Sequence, residues 1–251
     1  MDIATDDISL ALLFGTFVLA GLVKGVTGMG LPTVAMGVLG AKMSPLAAAA
    51  LLVVPSLVTN IWQWLDGPAR GPLTRRLWPM MLGIVAGTLA VTVVLVRVDP
   101  LWSGSVLGGV LITYALYALC GPGFTTSAHR ERRWSPAVGL GTGLVTGATG
   151  VFVVPAEPYL QSLALTRDEL VQALGLSFTV STIALAIGLS LHGAFRLEAA
   201  GLSALAIVPA LVGMWAGQAI RQRISPALFR RCFLVFLLLL GAELALRPLL
   251  R

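Results

Sequence analysis

Two ionisable residues lie deep inside apolar stretches of this chain, and their chemistry is complementary. Lys24 is the base, and Glu157, between Pro155 and Pro158, is the acid. A charge at the bilayer centre costs about 2.5 to 3.5 kcal/mol by insertion scales and marks a functional candidate. A lysine there could attract an anion, and a buried carboxylic acid could take up and release a proton. Alternatively, Lys24 snorkels to an interface, or the two residues form a purely structural ion pair.

A glycine-threonine motif surrounds Lys24 and recurs 122 residues later. Residues 21–28 read GLVKGVTG, and residues 143–150 read GLVTGATG. Glycine and threonine interrupt or bend a helix, and the hydrocarbon region tolerates this only where the freed backbone faces protein or a wet cavity. A pair of interrupted apolar segments at matching positions of two halves indicates the substrate site of a secondary transporter.

The predicted breaks suit an anion. A half-helix that starts near Gly28 or Gly150 presents unpaired N–H groups and roughly half a positive charge at its N-terminus, and oxyanions bind such ends. Thr27 and Thr149 occupy capping positions, where their hydroxyls could donate to an anion. The alternative is that these small residues only let helices pack closely.

The composition is that of a membrane protein. The chain has 251 residues, 57% of them hydrophobic and 11% charged, with a mean hydropathy of +0.91. Soluble domains carry about 25% charged residues. The net charge of +6 comes from arginines in short loops between apolar blocks, which favours positive-inside topology over nucleic-acid binding. Cys120 and Cys232 lie in apolar blocks without a metal-ligand spacing.

Apolar blocks of about membrane-spanning length follow one another along the whole chain. The first block of each half is too long for one span, and glycines and a proline divide it near its middle. We interpret each of these as a helix, a break and a shorter helix that together form a hairpin. The eight blocks are 8–41, 46–65, 77–96, 101–119, 137–165, 170–191, 199–220 and 228–246.

The repeat continues beyond the opening motif. Gly87 matches Gly213, and Arg97 matches Arg223, both at an offset of 126. The change from 122 to 126 implies four extra residues in the second half. The chain therefore divides into an N-terminal transmembrane repeat, a basic linker and a C-terminal transmembrane repeat, at 1–122, 123–134 and 135–251.

The distribution of basic residues tests the hairpins. Eight simple alternating spans would leave seven bases inside and nine outside, against the positive-inside rule. With hairpins, eleven lie inside, namely Arg70, Arg75, Arg76, Arg130, Arg132, Arg133, Arg167, Arg221, Arg223, Arg230 and Arg231. Five then lie outside, namely Lys42, Arg97, Arg196, Arg247 and Arg251. Each repeat also gains an odd number of crossings, which predicts that the two repeats are inverted in the membrane.

The first break resembles a known family. Residues 20–32, AGLVKGVTGMGLP, resemble the first signature of the TauE/SafE family of sulfite and sulfonate exporters, a glycine-rich break followed by an apolar half-helix with a proline. Residues 142–155 are similar to it in the second half. The usual run of three glycines is reduced here to Gly28-Met29-Gly30. The resemblance implies a transporter of sulfite, an organosulfonate or a related sulfur oxyanion in a bacterial inner membrane.

These observations define a candidate site. Polar residues on the helix after each hairpin could line a cavity, and interhelical hydrogen bonding explains them equally well. Glu157 is the candidate for proton coupling. The predicted substrate-binding residues are Lys24, Thr27, Gly28, Met29, Gly30, Asn60, Gln63, Thr149, Gly150, Ser177 and Ser181.

The sequence thus predicts an all-α polytopic membrane protein with two inverted repeats, each a broken-helix hairpin followed by about three transmembrane helices. The predicted function is secondary transport, as an exporter, of a small anion bound at the midplane between the hairpins; a passive anion channel is the alternative. No HExxH or paired-aspartate pattern suggests an enzyme, and no cofactor or metal is expected. The expected partners are the anion, the lipid bilayer and protons as a coupling ion, without nucleic acid, and a homo-oligomer is compatible with the sequence.

We predict that residues 70–76 and 130–133 face the cytoplasm and that the C-terminus faces the periplasm. Single cysteines at Ala128 and Leu250, in a chain without Cys120 and Cys232, would be labelled from each side of the membrane. We expect opposite labelling, because the hairpins place the two positions on opposite sides. Labelling of both from the same side would contradict the inverted arrangement.

Overall fold

The structure is a computed structural model that describes residues 10–121, 125–195, 197–221, 223 and 225–249. Arg196, Leu250 and Arg251, which the topology prediction uses, lie outside the described residues. The described part is helical throughout, with a final 3-10 turn at Arg247–Leu249. The helices are α1 Leu10–Thr27, α2 Leu31–Gly40, α3 Pro45–Leu65, α4 Arg70–Arg97, α5 Pro100–Cys120, α6 Ala128–Thr149, α7 Ala156–Gln161, α8 Arg167–Leu191, α9 Leu197–Leu205, α10 Ile207–Arg221 and α11 Pro226–Leu246.

The helices confirm the polytopic membrane architecture. Within the described residues, six helices are long and apolar enough to cross a bilayer: α1, α3, α4, α5, α8 and the segment Ala200–Arg221 that contains α10. Large apolar side chains such as Trp215, Leu239 and Val208 are about two-thirds exposed or more on the outer surface. Such a surface suits lipid rather than water. Helix α6 begins at Ala128, within the stretch that the sequence predicts as a linker.

The boundaries of the helices follow the repeat. Helices α3 and α8 begin 122 residues apart, at Pro45 and Arg167, but end 126 residues apart, at Leu65 and Leu191. The four extra residues therefore lie within α8, which has 25 residues where α3 has 21. Four residues are close to one helical turn, so the insertion keeps the faces of the helix nearly in register.

Capping residues start equivalent helices. Ser44 accepts a hydrogen bond from the Ala47 N–H at 3.2 Å at the start of α3. At the equivalent start of α8, Thr166 and Glu169 form a capping box. These side chains bond N–H groups that have no partner in the first turn, which fixes where each helix begins.

The helices pack reciprocally between the two halves. Helix α1 of the first half packs along α10 of the second, and α6 of the second half packs along α4 of the first. The equivalent pairs α3 with α8 and α5 with α11 contact each other where the halves meet. The two halves are therefore interlocked, and the contacts of one half reappear in the other. The orientation of the repeats relative to the membrane stays a prediction.

Glycines allow the closest of these helix crossings. A Cβ added at Gly87 would lie 2.4 Å from the carbonyl oxygen of Leu140, and one added at Gly213 would lie 2.1 Å from that of Val18. The glycines are 126 residues apart and the carbonyls 122 apart, so the two crossings are equivalent. Small residues at helix crossings let backbones approach closely in a bilayer.

A proline inside α3 is compensated by a side chain from α9. Pro55 has no N–H, so the carbonyl of Leu51 lacks its usual partner within the helix. The hydroxyl of Ser203 donates to that carbonyl at 2.6 Å and accepts the N–H of Val54 at 3.1 Å. This contact also connects the second half to the helix that follows the first hairpin.

We predict that Gly87→Ala and Gly213→Ala each destabilise the protein. The added methyl group overlaps a backbone carbonyl on the neighbouring helix, and overpacking typically costs about 1 to 3 kcal/mol. The midpoint of thermal unfolding in detergent measures the effect. Gly104→Ala is the control, because nothing lies within 4 Å of a Cβ at that position. Equal midpoints for all three variants would contradict close packing at these crossings.

Candidate functional site

Both predicted breaks are present and share one backbone geometry. Helices α1 and α6 each end one residue before a left-handed glycine, Gly28 with φ +82° and Gly150 with φ +73°. The Gly28 N–H donates to the Lys24 carbonyl at 2.7 Å, and the Gly150 N–H donates to the Thr146 carbonyl at 2.8 Å. A residue with a side chain would be strained at these dihedrals, so the glycines let the chain leave each helix here.

The threonines stabilise the breaks from within. Each hydroxyl donates to the carbonyl four residues earlier, at 2.9 Å from Thr27 and 2.7 Å from Thr149, and accepts the N–H two residues later at 3.3 Å. They therefore cap the C-termini of α1 and α6. The half-helices begin later than predicted: α2 starts at Leu31 after the left-handed Gly30, and α7 starts at Ala156.

Lys24 lies in a polar cluster where the two halves meet. Its side chain is only 3% exposed, and its Nζ donates to Thr59 Oγ1 at 3.2 Å and to Asn60 Oδ1. The amide of Asn60 in turn donates to Thr182 Oγ1 at 3.4 Å. Asn60 and Thr182 are 122 residues apart, so equivalent positions of the two repeats contact each other. Lys24 does not snorkel to an interface; it is buried among neutral oxygen atoms.

Several buried polar atoms on the helices around this cluster have no hydrogen-bond partner among the described residues. These helices are α2, α3 and α8, and each contributes at least one such atom. Buried polar atoms are usually paired, so a cluster of unpaired ones is suited to a polar ligand. The predicted residues Ser177 and Ser181 are among them. The atoms are the hydroxyls of Thr33, Ser56, Ser177 and Ser181 and Oε1 of Gln63.

Gln63 connects the first break to α8. Its Nε2 donates to the Gly28 carbonyl at 2.7 Å and to the Val171 carbonyl at 2.9 Å. The Gly28 carbonyl follows the last turn of α1 and has no regular partner in that helix, so a side chain satisfies it. The predicted residue Gln63 thus has a structural role at the break.

Glu157 and Lys24 do not form the ion pair that the sequence suggested. The Glu157 side chain is 1% exposed, accepts a hydrogen bond from the Tyr114 hydroxyl at 2.6 Å and accepts another from Gln161 Nε2 at 2.8 Å. Its ion-pair partner is Arg230, with Nη2 3.8 Å from Oε1. This alternative does not hold because Lys24 and Glu157 lie in different packing environments: Lys24 contacts α3, whereas Glu157 contacts α5 and α11.

A basic cavity of about 310 Å³ lies beside the first break. Thr27 and Met29 of the break are part of its wall, and the described lining residues contain no carboxylate. The other polar lining residues are Tyr114, Gln161, Arg167, Arg221 and Arg230. Three arginines around one cavity give it a chemistry suited to an anion, because arginine binds the oxygens of carboxylates and phosphates in a bidentate manner.

The structure brings only some of the predicted residues together. Thr149 and Gly150 lie away from the basic cavity, and a Cβ at Gly150 would meet Met36 Sδ at 3.0 Å. The sequence analysis missed the residues that give the cavity its charge. From the sequence, Arg167, Arg221 and Arg230 are expected to determine topology, since arginines near block ends usually have that role.

The fold defines a multi-pass α-helical membrane protein with two paired helix breaks and a cavity lined by three arginines. The family model described as Sulfite exporter TauE/SafE matches residues 13–244, nearly the whole chain, and the protein belongs to this family. The family is one of membrane transporters rather than enzymes. No curated protein and no solved structure matches the chain.

We predict that Lys24→Met and Glu157→Gln change the free energy of unfolding independently. Their partners differ, so the change in unfolding free energy of the double variant should equal the sum of the changes in the single variants within about 0.5 kcal/mol. Denaturant unfolding in mixed micelles measures this. The control pair is Arg76→Gln with Glu131→Gln, whose side chains contact each other at 2.6 and 2.7 Å and should couple. Recovery of stability in the Lys24–Glu157 double variant would restore the ion-pair hypothesis.

Proposed function

We propose that this protein is a secondary transporter that exports a small sulfur oxyanion, such as sulfite or an organosulfonate, across a bacterial inner membrane. Membership of the sulfite exporter family supports the substrate class. The single observation that carries the proposal is the basic cavity, where three arginines face one space of about 310 Å³ beside the first break. A sulfite or sulfonate group has three oxygens and fits between guanidinium donors.

We infer that the anion passes from the cavity to Lys24. Thr27 and Met29 line the cavity, and Lys24 lies one helical turn before the glycine that follows Thr27. An anion that leaves the arginines along the break therefore approaches an ammonium group that has neutral partners only. Lysine offers such an anion a compact charge that does not hold it as firmly as a bidentate arginine does. We infer that the arginines collect the anion and that the Lys24 cluster receives it.

The paired breaks favour a carrier over a channel. Interrupted helices at equivalent positions of two repeats are typical of transporters that alternate access to a central site. We assign the central site to the cluster of Lys24, Asn60 and Thr182, because equivalent helices of the two halves contact each other there. A passive channel predicts flux that does not depend on a proton gradient, and the transport assay below measures this as well.

We predict that Arg221→Gln raises the half-saturation concentration for sulfite by about tenfold, because it removes a charge-assisted hydrogen bond. The assay is uptake of radiolabelled sulfite and of methanesulfonate into proteoliposomes, with and without a pH gradient. Arg223→Gln is the matched control, since Arg223 is exposed and does not line the cavity.

Equal half-saturation in the two arginine variants would exclude the basic cavity as the entry site. Wild-type protein that transports neither anion would overturn the proposed function. Transport that is unaffected by the pH gradient would favour the channel.

A further inference from the structure

The partners of Glu157 and the lining of the basic cavity are the same residues. Glu157 contacts Tyr114 at 2.6 Å, Gln161 at 2.8 Å and Arg230 at 3.8 Å, and it is itself 1% exposed. All three partners line the cavity, whereas Glu157 does not. An anion in the cavity would therefore contact the same hydrogen-bond donors that Glu157 already contacts from the protein interior.

We propose that Glu157 is an internal competitor of the substrate: its carboxylate and the bound anion are alternative partners of Arg230, and Glu157 takes up a proton when the anion displaces it. The proposal rests on the proposed function and assigns the coupling ion and the coupling residues. Under this proposal, the protein takes up one proton for each anion that binds in the cavity.

The contact between Arg230 and Glu157 is suited to such an exchange. At 3.8 Å it is an ion pair without a direct hydrogen bond, unlike the bidentate contact of Arg76 with Glu131 at 2.6 and 2.7 Å. The Arg230 side chain is 41% exposed and that of Glu157 only 1%. The guanidinium has five N–H donors and lines the cavity, so it has donors available for an anion there.

Protonation follows from the burial of Glu157. A buried carboxylate that loses its cationic partner is costly, and a buried group in this situation neutralises. The proton comes from water in the cavity and binds a carboxylate oxygen, and it returns to water when Arg230 recovers the carboxylate. The neighbouring side chains fit both forms, because the Tyr114 hydroxyl donates to the carboxylate or accepts from the acid, and Gln161 Nε2 donates to Oε1 in either case.

Other charged groups around Glu157 leave Arg230 as its cationic partner. Arg167 on α8 and Arg221 on α10 face the same cavity and would add to the attraction of the anion. On the opposite side, α6 brings Arg130 and Glu131 near α7, where the Tyr159 hydroxyl donates to the Glu131 backbone carbonyl at 3.0 Å. The Glu131 carboxylate is occupied by Arg76.

Proton uptake on binding tests the proposal. Full-length protein in detergent would be titrated with sulfite by calorimetry in two buffers of different ionisation enthalpy, at a mildly alkaline pH. Sulfite itself titrates, so the informative quantity is the difference between wild type and Glu157→Gln. We expect wild type to take up about one proton more per bound sulfite, and Glu157→Gln to bind sulfite about tenfold more tightly because the competitor is gone.

Two matched variants control for charge removal alone. Glu243→Gln removes another glutamate of an arginine pair, on α11 and away from the cavity, and should keep the wild-type proton uptake. Arg230→Gln should weaken sulfite binding and abolish the extra proton uptake, whereas Arg231→Gln, the exposed neighbour, should do neither. If Glu157→Gln does not fold, Tyr114→Phe replaces it. That change removes a hydrogen bond that stabilises the carboxylate, so sulfite should bind with less proton uptake.

The outcomes separate the two proposals. Sulfite binding with the same proton uptake in wild type and Glu157→Gln, or weaker binding in Glu157→Gln, overturns the competition and leaves the proposed function intact. If Tyr114→Phe is used, unchanged proton uptake overturns it in the same way. Wild-type protein that neither binds nor transports sulfite overturns the proposed function, and the competition with it.

Discussion

The structure depends on one constraint: within a bilayer, the protein itself must satisfy every backbone group that leaves a helix. The threonine hydroxyls do this at the ends of α1 and α6, Gln63 does it for the Gly28 carbonyl, and Ser203 does it for the carbonyl that Pro55 leaves free. Gln63 and Ser203 also connect the interrupted backbone to a neighbouring helix, whereas the threonines act within their own segment. The polar residues that make interruption of the helices possible therefore also determine where the helices lie around the site.

The two halves share a scaffold but not a chemistry. Helix ends, glycine crossings and threonine caps recur at offsets of 122 and 126, whereas the ionisable groups of the site do not. Each helix occurs once in each repeat. One copy can therefore keep uncharged residues that pack, while the equivalent copy carries the charged residues of the site. The charged residues of the site therefore have uncharged counterparts in the other repeat. The equivalent residues are Thr146 for Lys24, Ala35 for Glu157, Gly104 for Arg230 and Leu240 for Tyr114.

Features that repeat locally could be predicted from the sequence, whereas side-chain contacts that depend on long-range packing could not. The breaks at Gly28 and Gly150 follow from local glycine chemistry. The change of offset predicts four extra residues in the second half, and the structure places them within α8. The pairing of Glu157 with Arg230 could not be predicted, because it depends on how α11 packs beside α7 and α5. Lys24 and Glu157 were the only charges deep in apolar blocks, so each seemed the natural partner of the other. In the structure, neutral oxygens surround Lys24, and the partner of Glu157 comes from a helix end.

This arrangement connects the two breaks to each other. Glu157 lies on α7, the short helix of the second break, while its partners Tyr114 and Arg230 lie on α5 and α11, which pack against each other where the halves meet. The same two residues line the cavity at the first break. If an anion at the first break pairs with Arg230, α7 loses its ionic contact with α11. Of these two contacts, only the hydrogen bond from Tyr114 on α5 to Glu157 then remains. Under the proposed competition, anion binding at the first break would therefore weaken a contact of the second break, because the same arginine serves both.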